Sequence, residues 1–67
     1  MEKNFVHFNK KIINKKDIVM IYPVNFETAE NPFNIRCVVR NHGAEYEEYN
    51  DADIRNDRFL DLVHKLC

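Results

Sequence analysis

The residues of this chain best suited to do chemistry are five carboxylates, Glu45, Glu47, Glu48, Asp51 and Asp53, interleaved with Tyr46 and Tyr49. Two carboxylates perform acid–base work only where a pocket drives their pKa values apart. A chain of 67 residues leaves little interior for such a pocket. The run also lacks the Asp-x-Asp-x-Asp-Gly spacing of a calcium loop. Nucleophilic catalysis needs Ser, Cys or Thr beside a base, yet there is no serine and Thr28 is the only threonine. Cys37 falls on the inward parity of a strand, where a thiol serves as a small apolar residue. Cys67 is terminal and poorly held for catalysis. His7, His42 and His64 have no second ligand at a useful spacing. The expectation is a protein that is not an enzyme and needs neither metal nor cofactor.

Recognition is what the same residues can still do. Tyrosines among fixed carboxylates dock onto a basic surface, with the aromatic rings supplying buried area. Glu45, Tyr46, Glu47, Glu48, Tyr49, Asp51 and Asp53 are therefore the expected partner-binding residues. The plainer alternative is an acidic edge strand that resists unwanted pairing and runs into a capped helix. A second cluster, Arg36, Arg40, Lys15 and Lys16, offers a different function: a homo-oligomer that sequesters a phosphorylated small molecule or nucleotide signal. Nucleic acid fits less well, because nothing resembles a helix-turn-helix and the one clear helix is rich in acids.

Charge is unevenly placed along the chain. Residues 1–16 hold Lys3, Lys10, Lys11, Lys15 and Lys16 against Glu2, a balance of +4. Residues 44–61 hold seven acids against Arg55 and Arg58, a balance of −5. Whether the fold keeps these ends apart decides whether the polarity matters. The longest apolar run, Ile18 to Tyr22, is far shorter than the roughly 20 residues of a membrane span. No signal-peptide core follows Met1, which reads as a native start of a complete chain. Two thiols without an export signal point to a cytoplasmic setting.

These residues need elements to position them. Phe5–Phe8 reads as a first strand, and Ile12-Ile13 as a second apolar pair between polar turns. Ile18, Met20 and Tyr22 share one parity of a strongly β-prone run, with Val19 and Ile21 on the other, which predicts a central strand buried on both faces. Pro23 and Pro32 bracket a polar loop whose Phe26 is expected to tuck back onto the core. Phe33, Ile35, Cys37 and Val39 are expected to face in and Asn34, Arg36, Val38 and Arg40 to face out, and Asn41-His42-Gly43 makes a hairpin. Tyr46 and Tyr49 differ in parity, as a bulge or a two-faced edge strand would require. His7, on the parity of Phe5, is expected to border the core. Phe59, Leu62, Val63 and Leu66 form one helical stripe after a cap at Asn50 or Asp51.

The expected fold is α+β: one domain, with a three- to four-stranded antiparallel β-meander over about residues 5–49 packed on one C-terminal helix over about residues 51–66. A core this small is marginal, and two cysteines make no disulfide framework. The helix stripe covers one sheet face only. A second copy of the chain is therefore the expected cover for Val19 and Ile21, giving a homodimer.

The order Phe5-x-x-Phe8-Asn9, then Lys11-Ile12-Ile13-Asn14, then Asp17-Ile18-Val19-Met20-Ile21-Tyr22, is similar to that of many short bacterial and phage proteins. The segment Asp51–Leu60 after a Gly hairpin continues the likeness. The resemblance implies a meander-plus-helix fold and a microbial or phage setting, and it implies no site. The expected function is a small interaction protein, encoded by a phage or mobile element, that binds and inhibits a host or cellular defence or regulatory protein.

Overall fold

The structure, a computed structural model, describes residues 4–67. Glu2 and Lys3, counted in the N-terminal charge balance, lie outside the described residues together with Met1. The chain turns first at Asn9-Lys10, where both residues take positive φ, 52° and 64°. Two left-handed residues in a two-residue hairpin match the right-handed twist of the flanking strands. The strands so joined are β1 (Phe5–Phe8) and β2 (Lys11–Asn14), with Val6 opposite Ile13. Val6, Phe8 and Ile13 are buried, so the inward face of β1 is the parity opposite to Phe5. His7 consequently faces solvent and does not border the core.

A 3-10 turn over Lys15–Asp17, capped by the Asn14 side chain accepting from Lys16 N at 3.0 Å, leads into a second sheet. Its strands are β3 (Ile18–Asn25), β4 (Phe33–Val39) and β5 (Gly43–Tyr49), antiparallel in the order β3-β4-β5. The architecture is α+β, five strands in sheets of two and three with the helix α1 (Ala52–Leu66) packed against them. The single meander expected from sequence is thus divided into a hairpin and a three-stranded sheet. The tight turn at Lys15–Asp17 breaks the ladder between β2 and β3.

The expectation that β3 is central is overturned. β4 is the central strand and β3 is an edge. Pro23 lies within β3, and a residue without an N–H belongs on an edge. The ladder also shifts register between Ile18 and Met20, so Val19 bulges. The bulge reverses parity: Ile18 and Ile21 both pack on the core, while Val19 and Met20 stand 58% and 52% exposed. β5 keeps an unbroken register with β4 and is two-faced, which explains the opposite parity of its tyrosines.

Opposed residues of an antiparallel ladder share a face, so the pairing defines two sides of the sheet. The inner rows are Ile18–Val39–Gly43, Ile21–Cys37–Glu45, Pro23–Ile35–Glu47 and Asn25–Phe33–Tyr49. The hairpin and α1 cover this side, and Val6, Phe8, Ile13, Ile35, Cys37, Val39 and Leu62 form the core. Gly43 opens β5 at φ 84°, the left-handed conformation that closes the turn after Val39. Asp51 caps α1, its carboxylate accepting from Asp53 N at 2.8 Å and Ile54 N at 3.1 Å.

Candidate functional site

The acidic segment 45–53 does not form one surface. Glu45 and Glu47 point to the inner side, where they fasten the β1–β2 hairpin to the sheet. Lys11 Nζ lies 2.8 Å from Glu45, and Asn9 Nδ2 donates to the same carboxylate at 3.3 Å. Glu47 is the hub. It accepts from Arg58 Nε at 3.0 Å and Nη2 at 3.1 Å, from Tyr49 Oη at 2.8 Å and from Asn9 N at 2.8 Å. Arg58 Nη2 also donates to His7 O at 2.6 Å, so one arginine on α1 ties β1 and β5 together.

The titration of these groups follows from that geometry. Burial pushes Glu47 up, but the hydrogen bonds from Arg58, Asn9 and Tyr49 hold its carboxyl below the ordinary value. Desolvation and the bond to Glu47 raise the Tyr49 phenol. The bond from Lys11 lowers Glu45. Cys37 is pushed up, first by burial and then by Glu45 and Glu47, which keeps it a protonated core residue. Asp51 is the helix cap and Asp53 is exposed in the first turn. Of the seven expected partner-binding residues, only Tyr46 and Glu48 project from the outer side of the sheet.

The four basic residues of the alternative site are also separated. Arg40 N donates to Asp17 O at 2.6 Å and its Nη2 lies 3.4 Å from Lys16 O, which gathers Arg40 and the Lys15-Lys16 turn at one end of the sheet. Arg36 lies four residues back along β4, roughly 13 Å away at strand rise. Glu27 and Glu30 in the β3–β4 loop, Glu48, and the start of α1 occupy the opposite end. The fold therefore keeps part of the sequence polarity, with Lys15, Lys16 and Arg40 beside Asp17 at one end of the strands and Glu27, Glu30 and Glu48 at the other.

Neither the hairpin nor the helix covers the outer side. Its rows are Met20–Val38–Ala44, Tyr22–Arg36–Tyr46 and Val24–Asn34–Glu48. Arg36 sits at the centre, its Nη1 donating to Tyr22 Oη at 2.6 Å and its guanidinium carbon 5.8 Å from the centroid of that ring. Nε of Arg36 is buried without a hydrogen-bond partner, and no carboxylate pairs with this arginine among the described residues. Phe26 does not tuck into the core. It stands 41% exposed, edge-on to Tyr46 at 5.7 Å between centroids, because the β3–β4 loop folds over the outer side. A hollow of about 490 Å³ opens there between Phe26, Asn31, Asn34, Tyr46 and Glu48.

A separate cleft of about 260 Å³ lies between β2 and the β4–β5 turn, bordered by Ile13, Val39, Asp17 and His42, with the Lys11–Glu45 pair on its rim. Among the described residues no three His, Cys, Asp or Glu side chains cluster as a metal site would require. No helix among them is long and apolar enough to cross a membrane. The outward parity of Arg36 and Val38 is legible in the sequence, whereas Met20 and Tyr22 join them only because β3 is an edge strand, not the doubly buried one its apolar run predicts. Pro23 was the signal that could have exposed it. Compared with known proteins, the chain matches no family model, no curated protein and no solved structure.

Proposed function

We propose that this chain is a small non-catalytic interaction protein that binds a cellular protein through the outer side of its three-stranded sheet. The observation that carries the reading is the outer-side set Met20, Tyr22, Arg36, Val38 and Tyr46, over which neither hairpin nor helix packs, with Met20 and the flanking Phe26 exposed and the other four half-buried. Tyrosine and arginine set in apolar surroundings are the composition of binding hot spots. Exposed apolar patches rimmed by polar residues mark interaction sites. The acids that read as a docking strip act instead mainly inside the molecule, as the hairpin latch and the helix cap. The proposed mode of action is inhibition by occupying the partner's surface, and a phage or mobile-element setting remains the proposal of the sequence resemblance.

Affinity capture from host extract at low salt tests this. The tagged chain should retain a partner in stoichiometric amount, and the double variant Met20→Lys/Val38→Lys should release it while keeping its circular dichroism spectrum. Absence of any stoichiometric partner, or equal capture by the double variant, sinks the proposal.

A further inference from the structure

Area decides what kind of object fits the outer face. Three strands of about seven residues span roughly 14 Å by 23 Å, about 320 Å² of footprint. A stable protein–protein interface takes about 800 Å² from each partner, so this face alone is too small to hold a second copy of the chain firmly. An isologous face-to-face pairing with antiparallel strands would also set Arg36 near its own copy, like charge against like. The same footprint matches one extended segment of about seven residues lying along the strands.

Charge decides the chemistry of that segment. Arg36 is the one cation of the three outer rows. It uses one donor, on Tyr22, and its Nε is buried and unpartnered. A buried donor left unsatisfied is destabilising, which a carboxylate drawing the guanidinium outward relieves. The Lys15-Lys16 turn and Arg40 extend positive charge beyond one end of the face, whereas Glu48 and Glu30 border the other. Single-stranded nucleic acid needs a positive groove that follows its whole backbone, and the acidic end denies it one.

We infer that the outer face takes a short, extended, acidic segment of a partner protein, with one carboxylate on Arg36 and an aromatic or large apolar side chain in the hollow between Phe26 and Tyr46. Arg36 and Asn34, which floors the hollow, are two residues apart on β4. The segment's acid and its anchor therefore stand about two residues apart, since alternate residues of an extended chain face the same way. This inference rests on the proposed function and names the partner's chemistry.

The test is selection of a random heptapeptide display library on the wild-type chain. Enriched peptides should carry Asp or Glu two positions from an aromatic or large apolar residue. Amide shifts on titrating one such peptide should map to outer-face residues of β3, β4 and β5. Arg36→Gln should weaken that peptide about 30-fold, a hot-spot loss, and Tyr46→Ala about 10-fold, with unchanged melting temperatures confirming that the variants fold. Arg36→Glu should reverse the selection toward Lys and Arg. No enrichment, enrichment without acids, shifts at the Lys11–Glu45 cleft, or full binding by Arg36→Gln each overturn the inference. So do tight binding of a ten-residue oligothymidylate at the outer face and a concentration-dependent dimer broken by Met20→Lys. If extract capture survives Arg36→Glu, the binding function stands and the acidic-segment inference falls. If neither peptide nor extract partner binds, both fall.

Discussion

Replacing Glu47 by Gln keeps the shape of the latch and removes its charge. The carboxylate holds Arg58 through both oxygens and also accepts from Tyr49 and from Asn9 N. Breaking a buried ion pair from one side costs about 3–5 kcal/mol. Here the two side chains keep 13% and 23% exposure, and solvent screening reduces the loss to about 2–3 kcal/mol. A domain of this length has only about 3–10 kcal/mol of stability in total, and each kcal/mol moves Tm by about 4–8 °C. Glu47→Gln should therefore lower Tm by about 10–20 °C at pH 7, read by circular dichroism, with a matching fall in the urea midpoint. The folded carboxyl titrates below its ordinary value of 4.5. Its stabilisation is present above that pH and is lost as pH falls through the folded value. Wild type and variant should accordingly converge on acidification. A Tm change under about 3 °C at pH 7, or a difference that does not shrink toward acid, refutes the latch.

Three further outcomes are expected. Arg55 is 7% exposed, donates to Asn34 O at 2.9 Å, Asn25 Oδ1 at 3.1 Å and Val24 O at 3.3 Å, and lies over the Phe33 ring; Arg55→Met leaves these acceptors unmet and should cost about 2–4 kcal/mol in urea unfolding, with a loss below about 0.5 counting against the anchor. Lys10→Gly should stabilise the fold by about 0.5–1 kcal/mol, because a left-handed lysine is strained and Asn-Gly is the preferred pair for this turn; lower thermal stability would show that the turn is not the one described. In thiol titration Cys67 should react at once and Cys37 only at the rate of unfolding, since Cys67 is exposed and Cys37 is buried with a raised pKa; equal rates in native buffer would contradict the core assignment.

Local chemistry was legible wherever the determinant was itself local. The helix stripe of Phe59, Leu62 and Leu66, the Asp51 cap and the alternation of Ile35 to Val39 all appear in the structure, because each depends on spacing within one element. Asn34, expected outward, is instead buried beneath the β3–β4 loop. The α+β class follows from the same periods. The order of strands is a different kind of fact. It placed β4 in the centre and β3 at the edge, and only Pro23 carried a trace of that in the residues. The bulge at Val19 then decided which of its neighbours enter the core, since one extra residue reverses every later parity.

The candidate site divided along the same line. The acidic run was visible as residue types, but its alternation sends Glu45 and Glu47 inward and Tyr46 and Glu48 outward. Their roles depend on what packs over each side, the hairpin and Arg58 on one and, among the described residues, the β3–β4 loop on the other. Arg55 and Arg58 read as counter-charges to an acidic segment, yet one is a buried anchor and the other a three-way tie. The sequence by itself determined the helix with its cap and stripe and the inward row Ile35, Cys37 and Val39 of β4, since these depend on neighbours along the chain. Only the tertiary structure decided which sheet face stays open and that Arg36 stands at its centre, because that depends on pairing between segments far apart in sequence.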